Sequence, residues 1–548
     1  MALLKVAGIS LVWGVVMIFP NFSASFETAP VVRGTVSGDL AGKWWTIAPG
    51  RTIEAYLAIP YAEPPVGPRR FKDPEPFGKW MGMYNATNEP TKCLQRNSFS
   101  AEKAVEGSED CLFLNVYTPS ATPSSGYPVM VFIHGGGFVD GDAASDLYGP
   151  QKLLVKDIIL VTLHYRLGFL GFASLDDRDF AGNYGLKDQS LALQWVKNNI
   201  AKFGGDANKI TVVGESAGAA SAHYHVLSKK SQHLFQQAIL MSGSADCPWA
   251  VSKPHQNGNF TAKMASFVNC SIEKSTTELL ECLRKVDGAE FLKHNEKFLT
   301  VWKGKNVPIV VFRPVLESSF DNPFMTYEAY RASAPKPMMI GTTSAEGALV
   351  LAIWKRDQTK SIDEVLSELD KRFLEIIAVE LEGDEEEFPE KRAANIREQY
   401  FGNMAISNET LPQLTKLYSD IYFLNGTKET IKRHKGDKYV YKFGYEGSYS
   451  LSQLISGDPA YRNGVSHADD LLYLFPMKPF LSARVGNETD KDKEMSAKMV
   501  DLFTNYVING NPNSKSEPNV WTTTTEDLDF LSITPEGNLK MEKHYPYP

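Results

Sequence analysis

The sequence predicts an α/β fold: a large, mostly parallel central sheet with helices on both faces and helical insertions. Three observations predict it. First, the continuous apolar runs Val129–Ile133, Ile158–Leu163, Ile210–Val213 and Ala238–Met241 alternate with helix-compatible stretches. Strands buried on both faces read as unbroken apolar runs, and parallel strands need crossovers of this length. Second, two of these runs open straight into glycine-rich turns, one at Gly135-Gly136-Gly137 and one at Gly214-Glu215-Ser216-Ala217-Gly218. Third, 548 residues with 43% apolar content are ample for a large core. No repeat, low-complexity block or linker interrupts them, so residues 26–548 read as one domain.

The first 25 residues have the layout of a secretory signal peptide: Lys5, an apolar stretch from Ile9 to Phe19, then the small residues Ser23-Ala24-Ser25. The apolar stretch is short for a membrane span, and no stable membrane insertion is expected. His544-Tyr545-Pro546-Tyr547-Pro548 carries neither an ER-retrieval tetrapeptide nor a hydrophobic anchor tail. A secreted, extracellular protein fits the N-x-[S/T] sites at Asn85, Asn259, Asn269, Asn408, Asn425 and Asn487, besides Asn21. It also fits the five cysteines, which an oxidising compartment would pair. Sequence neighbours suggest Cys93–Cys111 and Cys270–Cys282, each closing a short loop worth about 3 kcal/mol. Cys247 is left over and reads as a buried free thiol. A formal net charge of −8 argues against nucleic acid or an anionic membrane as the main partner.

From Val31 to about Val66 the residues read as short strands and turns. Ala58–Gly67 contains Pro60, Pro64 and Pro65, too many for a helix or a central strand, and reads as an ordered surface segment. Leu112–Tyr117 reads as a strand. A helix is expected over Ser190–Phe203, with Leu191, Leu193, Trp195 and Val196 apolar. Residues 255–300 look helical, with Leu279, Leu280, Leu283 and Phe291 as spaced apolar positions. Pro337–Thr342 is a further strand-to-loop edge. Ser361–Glu382 reads as an amphipathic helix on Val365, Leu366, Leu369, Phe373 and Ile376. The acidic run Glu382–Glu387 reads as a solvated loop. Tyr439–Phe443 is a late strand and Met495–Asn509 a final helix.

Chemistry enters at the glycine turns. Gly214–Gly218 is a G-x-S-x-G elbow, a strand–turn–helix corner that holds Ser216 Oγ clear of the backbone at a helix N-terminus. His134-Gly135-Gly136-Gly137, upstream, leaves bare N–H groups of the kind that hold an oxyanion. A serine hydroxyl is a poor nucleophile unless a base takes its proton and a carboxylate orients that base. Of the ten histidines, His134 belongs to the glycine loop, and His223 and His225 sit two apart on the helix after Ser216. His467 comes late, between Gly464-Val465-Ser466 and Ala468-Asp469-Asp470. Among the acids, Glu346 lies just past a buried strand end, where parallel-sheet sites gather; Glu317 and Asp321 are rivals by chain order. No H-E-x-x-H, P-loop or spaced-cysteine motif occurs, and neither a metal nor a cofactor is expected.

Several stretches together resemble the type-B carboxylesterase/cholinesterase family, particularly its secreted insect carboxylesterases. They are Ile59-Pro60-Tyr61-Ala62 with Pro64-Pro65-Val66-Gly67, Ser108-Glu109-Asp110-Cys111-Leu112, His134-Gly135-Gly136-Gly137-Phe138, Asn183–Gln189, Phe203-Gly204-Gly205 with the elbow, Ala345-Glu346-Gly347 and Gly464–Asp470. Pro68 departs from the pattern, standing where a leucine is common. The resemblance implies an α/β-hydrolase fold with Ser216 as nucleophile, Glu346 as acid and His467 as base. It implies oxyanion donors at the N–H groups of Gly136, Gly137 and Ala217, and the two disulfides named above. By the same similarity, Glu215, Ser242 and Asp470 occupy polar positions beside the triad, and Trp249 and Phe312 line the acyl pocket. A small-molecule ester substrate and inhibition by organophosphates follow as expectations. Cholinesterases place a choline-binding tryptophan in the first disulfide loop, and Leu94–Asp110 has none. Juvenile-hormone esterases typically have glutamine where Glu215 stands, and non-catalytic adhesion relatives lose the serine.

Overall fold

The computed structural model describes residues 31–96, 104–298, 310–317, 323–333, 335–356, 360–380, 389–478, 488–517 and 519–546. The signal-like segment, Asn21, Asn487, Asp321 and the acidic run from Glu382 lie outside them.

In chain order the strands are β1 (Val31–Gly34), β2 (Asp39–Ala48), β3 (Arg51–Pro60), β4 (Met83–Asn85), β5 (Gln95–Arg96), β6 (Val105–Glu106), β7 (Phe113–Pro119) and β8 (Tyr127–Ile133). They continue with β9 (Ile159–Leu163), β10 (Gly205–Glu215), β11 (Gln237–Met241), β12 (Met338–Thr343), β13 (Lys438–Phe443), β14 (Phe530–Ile533) and β15 (Leu539–Glu542). β5 and β6 form a small ribbon. The rest build one thirteen-stranded sheet in the order β1-β2-β3-β7-β9-β8-β10-β11-β12-β13-β14-β15, with β4 beside β2. From β9 through β14 every neighbouring pair is parallel; both flanks are antiparallel, apart from the short β4, which runs parallel to β2.

The central strands divide their side chains between two cores. Val129, Val131 and Ile133 of β8 pack on one face, Met130 and Phe132 on the other. Met338 and Ile340 of β12 oppose Met339 in the same way. This is period-2 alternation with both faces apolar, which leaves the unbroken hydrophobic run seen in the sequence. Helices Tyr184–Asn199 and Ala217–Leu227 cover one face, and Asp490–Asn509 covers the other.

The surface segment expected at Ala58–Gly67 is only partly correct. Ala58, Ile59 and Pro60 complete β3; Ile59 and Pro60 are buried and pair with β7. The register slips between Tyr56 and Ile59, where Ala58 takes φ 53°. Such a bulge, with the proline at the strand's last position, is where a sheet tolerates a missing N–H.

Helix limits also moved. The helix expected from Ser190 begins at Tyr184, after Asn183 at φ 56°. Its first turns carry Lys187, Asp188 and Gln189, which are polar yet buried, so no apolar stripe marks them. Residues 255–300 hold three separate helices, Gln256–Phe267, Thr276–Lys285 and Gly288–His294. The final helix starts at Asp490, where the Thr489 side chain and Asp492 form a capping box. No helix among the described residues is long and apolar enough to cross a membrane.

Candidate active site

Ser216 sits where β10 ends and helix Ala217–Leu227 begins. Its backbone is at φ 56°, ψ −121°. A non-glycine residue there stores about 1–3 kcal/mol of strain, which persists only when the surroundings enforce it. The enforcement is visible. Ser216 N donates to Met241 O at 2.8 Å. A Cβ on Gly214 would stand 2.0 Å from Gly218 O, and one on Gly218 would stand 2.0 Å from Ile133 O. Both glycines are therefore needed for the corner to close, as the motif predicted. The helix behind Ser216 turns its N-terminal dipole toward the hydroxyl.

The loop after β8 lies against this corner. A Cβ on Gly135 would meet Glu215 Oε2 at 2.5 Å and Ser216 Cβ at 3.0 Å. Gly136 has φ +99°, and a Cβ there would strike the Asp140 carbonyl oxygen at 2.2 Å. Gly136 O in turn accepts from Val139 N and Asp140 N at 3.0 and 3.1 Å. Among the described residues, the N–H groups of Gly136, Gly137 and Ala217 donate no hydrogen bond to the protein. His134 stacks on Tyr165 with ring centroids 4.5 Å apart, and Tyr165 Oη donates to His134 O at 3.1 Å. It belongs to the wall of the loop, and burial lowers its basicity.

Glu346 follows β12 and His467 lies in the loop after residue 464. A single parallel bridge between Ala345 and Ser466 fastens the two loops, with Ala345 N donating to Val465 O at 3.0 Å. As a result His467 Nδ1 lies 2.6 Å from Glu346 Oε2. The other carboxylate oxygen accepts from Ser242 Oγ at 2.6 Å and from Thr343 N at 2.7 Å. On its far side the imidazole meets a second carboxylate: Nε2 is 3.1 Å from Glu215 Oε1. That oxygen has no hydrogen-bond partner, so the approach is an ionic contact lying off the line along which a ring N–H donates. The in-plane direction of Nε2 is thus not spent on Glu215, the residue that precedes Ser216.

Electrostatics follow from two acids around one imidazole in a buried site. Burial opposes the charged form of His467, but Glu215 and Glu346 outweigh it and raise the pKa to about 9. Burial raises Glu215 to about 8, with Asp470 and Glu346 adding to the shift and His467 opposing it. Asp470 is buried, is pushed up to about 7 mainly by that burial, and accepts from Tyr441 Oη at 2.9 Å.

The remaining expected positions separate. Trp249 borders the corner: a Cβ on Gly243 would meet its ring at 3.2 Å, and Phe138 and Phe423 flank it at 6.3 and 6.0 Å. Phe312 packs against Phe169 and Phe298, and no ring contact joins it to Trp249 or Phe423 among the described residues. The rival acid Glu317 is held by Asn183, Lys187 and the Phe324 N–H, remote in its bonding from any histidine. His223 accepts from Ala245 N, and His225 contacts Gln189 and Ser231; both are buried. Cys93–Cys111 and Cys270–Cys282 are joined, and Cys247 is free and buried. Asn85, Asn259, Asn269, Asn408 and Asn425 are all exposed. Sequence reasoning missed Phe423, whose ring centroid lies 4.4 Å from that of His467. It also missed Val310, the side chain nearest the open face of Gly137 at 3.6 Å. Neither lies in a motif; each sits in an apolar run, Ile309–Phe312 or Ile421–Leu424, that does not mark which member faces the site.

A serine on a strained corner, an imidazole against a buried carboxylate and unused backbone donors together form an arrangement suited to acyl transfer. Comparison with known proteins agrees. Residues 28–546 match the model of the carboxylesterase family. The chain is 38% identical to a juvenile hormone esterase of Tribolium castaneum over 84% of this chain and 80% of that protein. It is 34% identical to esterase E4 of Myzus persicae, covering 90% of this chain and 88% of the relative. It is 32% identical to venom carboxylesterase-6 of Apis mellifera, covering 99% and 96%. The chain therefore belongs to the carboxylesterase family of α/β-hydrolases and is a serine carboxylic ester hydrolase.

Proposed function

We propose that the protein is a secreted carboxylesterase that hydrolyses small carboxylic esters through an acyl-enzyme on Ser216, with His467 as base and Glu346 as its orienting acid. The observation that carries this reading is the 2.6 Å contact between His467 Nδ1 and Glu346 Oε2. On the other side of the ring, Nε2 stands 3.1 Å from Glu215, the residue before Ser216. His467 Nε2 takes the hydroxyl proton as Ser216 Oγ attacks the ester carbonyl carbon. The carbonyl oxygen becomes an oxyanion and is received by the N–H groups of Gly136, Gly137 and Ala217. The imidazolium returns its proton to the departing alkoxide, and the alcohol leaves. Water then repeats the sequence on the acyl-enzyme, releasing the acid. Secretion is supported by the two disulfides and by the exposure of five N-x-[S/T] asparagines that glycan could reach.

Two measurements test it. Ser216→Ala should lower kcat about 10⁶-fold with the fold intact; near-normal turnover rejects the assignment. A small organophosphate should add its mass once per chain, at Ser216. Labelling of any other residue has the same consequence.

A second reading, hydrolysis of a juvenile-hormone-like ester, has the 38% identity to the Tribolium enzyme in its favour and Glu215, in place of the glutamine typical of such enzymes, against it. A kcat/KM for juvenile hormone no higher than for p-nitrophenyl acetate would dismiss it.

A further inference from the structure

The chain from Leu411 to Arg433 touches His467 and the residue after Glu346 without contributing a motif residue to the proposed acid–base pair. Helix Leu411–Ser419 runs into a π-helical turn, Asp420–Leu424, and then into helix Asn425–Arg433. An i→i+5 turn inside a helix is rare and is frequently found at functional sites. Here it rotates one side chain out of the helical register. Phe423 is buried, and its ring lies 4.4 Å from the imidazole of His467 at 37°. Such a tilted contact occupies the face of the imidazole and limits its swing about χ1 and χ2.

The turn is pinned on several sides. At its start Ser419 Oγ accepts from Gly347 N, the residue after Glu346, at 2.8 Å. Gly347 approaches so closely that a Cβ would stand 2.2 Å from Thr415 O. In the middle, Tyr422 O accepts from Trp249 Nε1 at 2.7 Å, and Phe423 O receives the Cys247 thiol at 3.7 Å. After it, a Cβ on Gly426 would stand 2.7 Å from Cys247 Cα. Thr430 and Arg433 then bind the Asp246 carboxylate at 2.6 and 2.8 Å. The segment from Ser244 to Trp249 that makes these contacts follows directly on Ser242, which bonds Glu346. The π turn is thus fixed to the Glu346 loop at one end and to the β11 loop at the other.

We propose that Phe423, presented by this π turn, is a positioning residue that holds the His467 imidazole in line with Ser216. The inference rests on the acid–base reading given above. Because the ring acts on the imidazole, its removal should lower turnover equally for every acyl group. A residue that only walls the acyl site should change the ranking of acyl groups.

The test uses the full chain with p-nitrophenyl acetate, butyrate and hexanoate. Phe423→Ala should lower kcat about tenfold or more on all three by a similar factor, with KM changed by about twofold at most. Phe423→Tyr keeps the ring and should restore most of kcat. An unchanged kcat on acetate, with gains on the longer esters, would overturn the proposal. Should Phe423→Ala fail to fold, Phe423→Leu keeps most of the volume and loses the ring; a wild-type kcat on acetate for Leu overturns it equally. His467→Ala is measured in parallel. If that variant turns over normally, the acid–base reading itself has failed. If it is inactive while the Phe423 variants are not slowed, only the positioning role has failed.

Discussion

The carboxylate of Glu346 and the imidazole of His467 meet at 2.6 Å although 121 positions separate them. A carboxylate in this place selects the tautomer with Nδ1 protonated and stabilises the imidazolium as it forms. A carboxamide keeps the shape and loses both effects. Glu346→Gln should fold normally and lose about 10⁴-fold in kcat. Far-UV circular dichroism and steady-state kinetics check the two halves, and a loss below tenfold would remove Glu346 from the role.

Glu215 should control the pH profile. The proposed base works only when neutral, so activity rises with pH through the ionisation of His467. Burial disfavours the imidazolium, but Glu215 and Glu346 together carry the pKa up to about 9. Glu215→Gln removes one of the two negative neighbours and so lowers that pKa. The acid limb of kcat/KM should then move to lower pH by about one unit. An unmoved limb would mean that the 3.1 Å contact does not act on the base.

Ser242 supplies one of the two donors to Glu346 Oε1, and both residues are fully buried. Ser242→Ala leaves that oxygen with the Thr343 N–H alone. An unmade bond to a buried charge costs about 1–3 kcal/mol, so in a chain of this length the variant should melt about 1–3 °C lower and turn over roughly tenfold more slowly. Normal melting with normal kcat would show Ser242 to be dispensable for holding the acid.

The elbow, the glycine loop and the parallel strands were legible because each has a local cause. A Cβ on Gly214 or Gly218 would stand 2.0 Å from a backbone oxygen, so only glycine fits there, and strands buried on both faces leave apolar runs. The imidazole and its acid were not legible from spacing: Glu317 and Asp321 stood in the same chain order as Glu346, and only the family pattern chose among them. What separates Glu346 from Glu317 is a bridge between Ala345 and Ser466, a long-range pairing with no local signature. The helix start at Tyr184 was hidden for a related reason. Lys187 and Asp188 are buried through partners far along the chain, and a polar residue satisfied at distance looks like a surface residue in sequence. Phe423 was hidden because a π turn, not a motif, aims it.

Asp188 lends itself to a stability measurement. It grips Arg166 with two bonds of 2.7 and 2.6 Å, and both side chains are almost wholly buried. Arg166 follows Tyr165, which stacks on His134 at the head of the glycine loop. Breaking a buried pair from one side leaves an uncompensated charge and costs about 3–5 kcal/mol. Asp188→Asn should therefore be strongly destabilised in urea denaturation. Glu75→Gln, at the exposed pair with Arg69, should change stability by about 1 kcal/mol at most. Equal effects would reject the assignment of the first pair as structural.

The glycine loop allows the oxyanion donors to be separated by geometry. At Gly136 a methyl group would collide with Asp140 O at 2.2 Å and Asp140 Oδ1 at 2.3 Å, in a turn closed by the bonds from Val139 and Asp140 to Gly136 O. Backbone must move, and the N–H groups of Gly136 and Gly137 move with it. At Gly137, with φ +58°, the nearest atom to a methyl is Val310 Cγ2 at 3.6 Å. An alanine there meets ordinary contact and bears only the left-handed strain of about 1–2 kcal/mol. Gly136→Ala should thus lose about 10²–10³-fold in kcat, the worth of a misplaced donor, while Gly137→Ala should lose far less. Parallel kinetics on one activated ester decide it: equal losses, or the reverse order, would mean that this turn does not aim the donors at the reacting carbonyl.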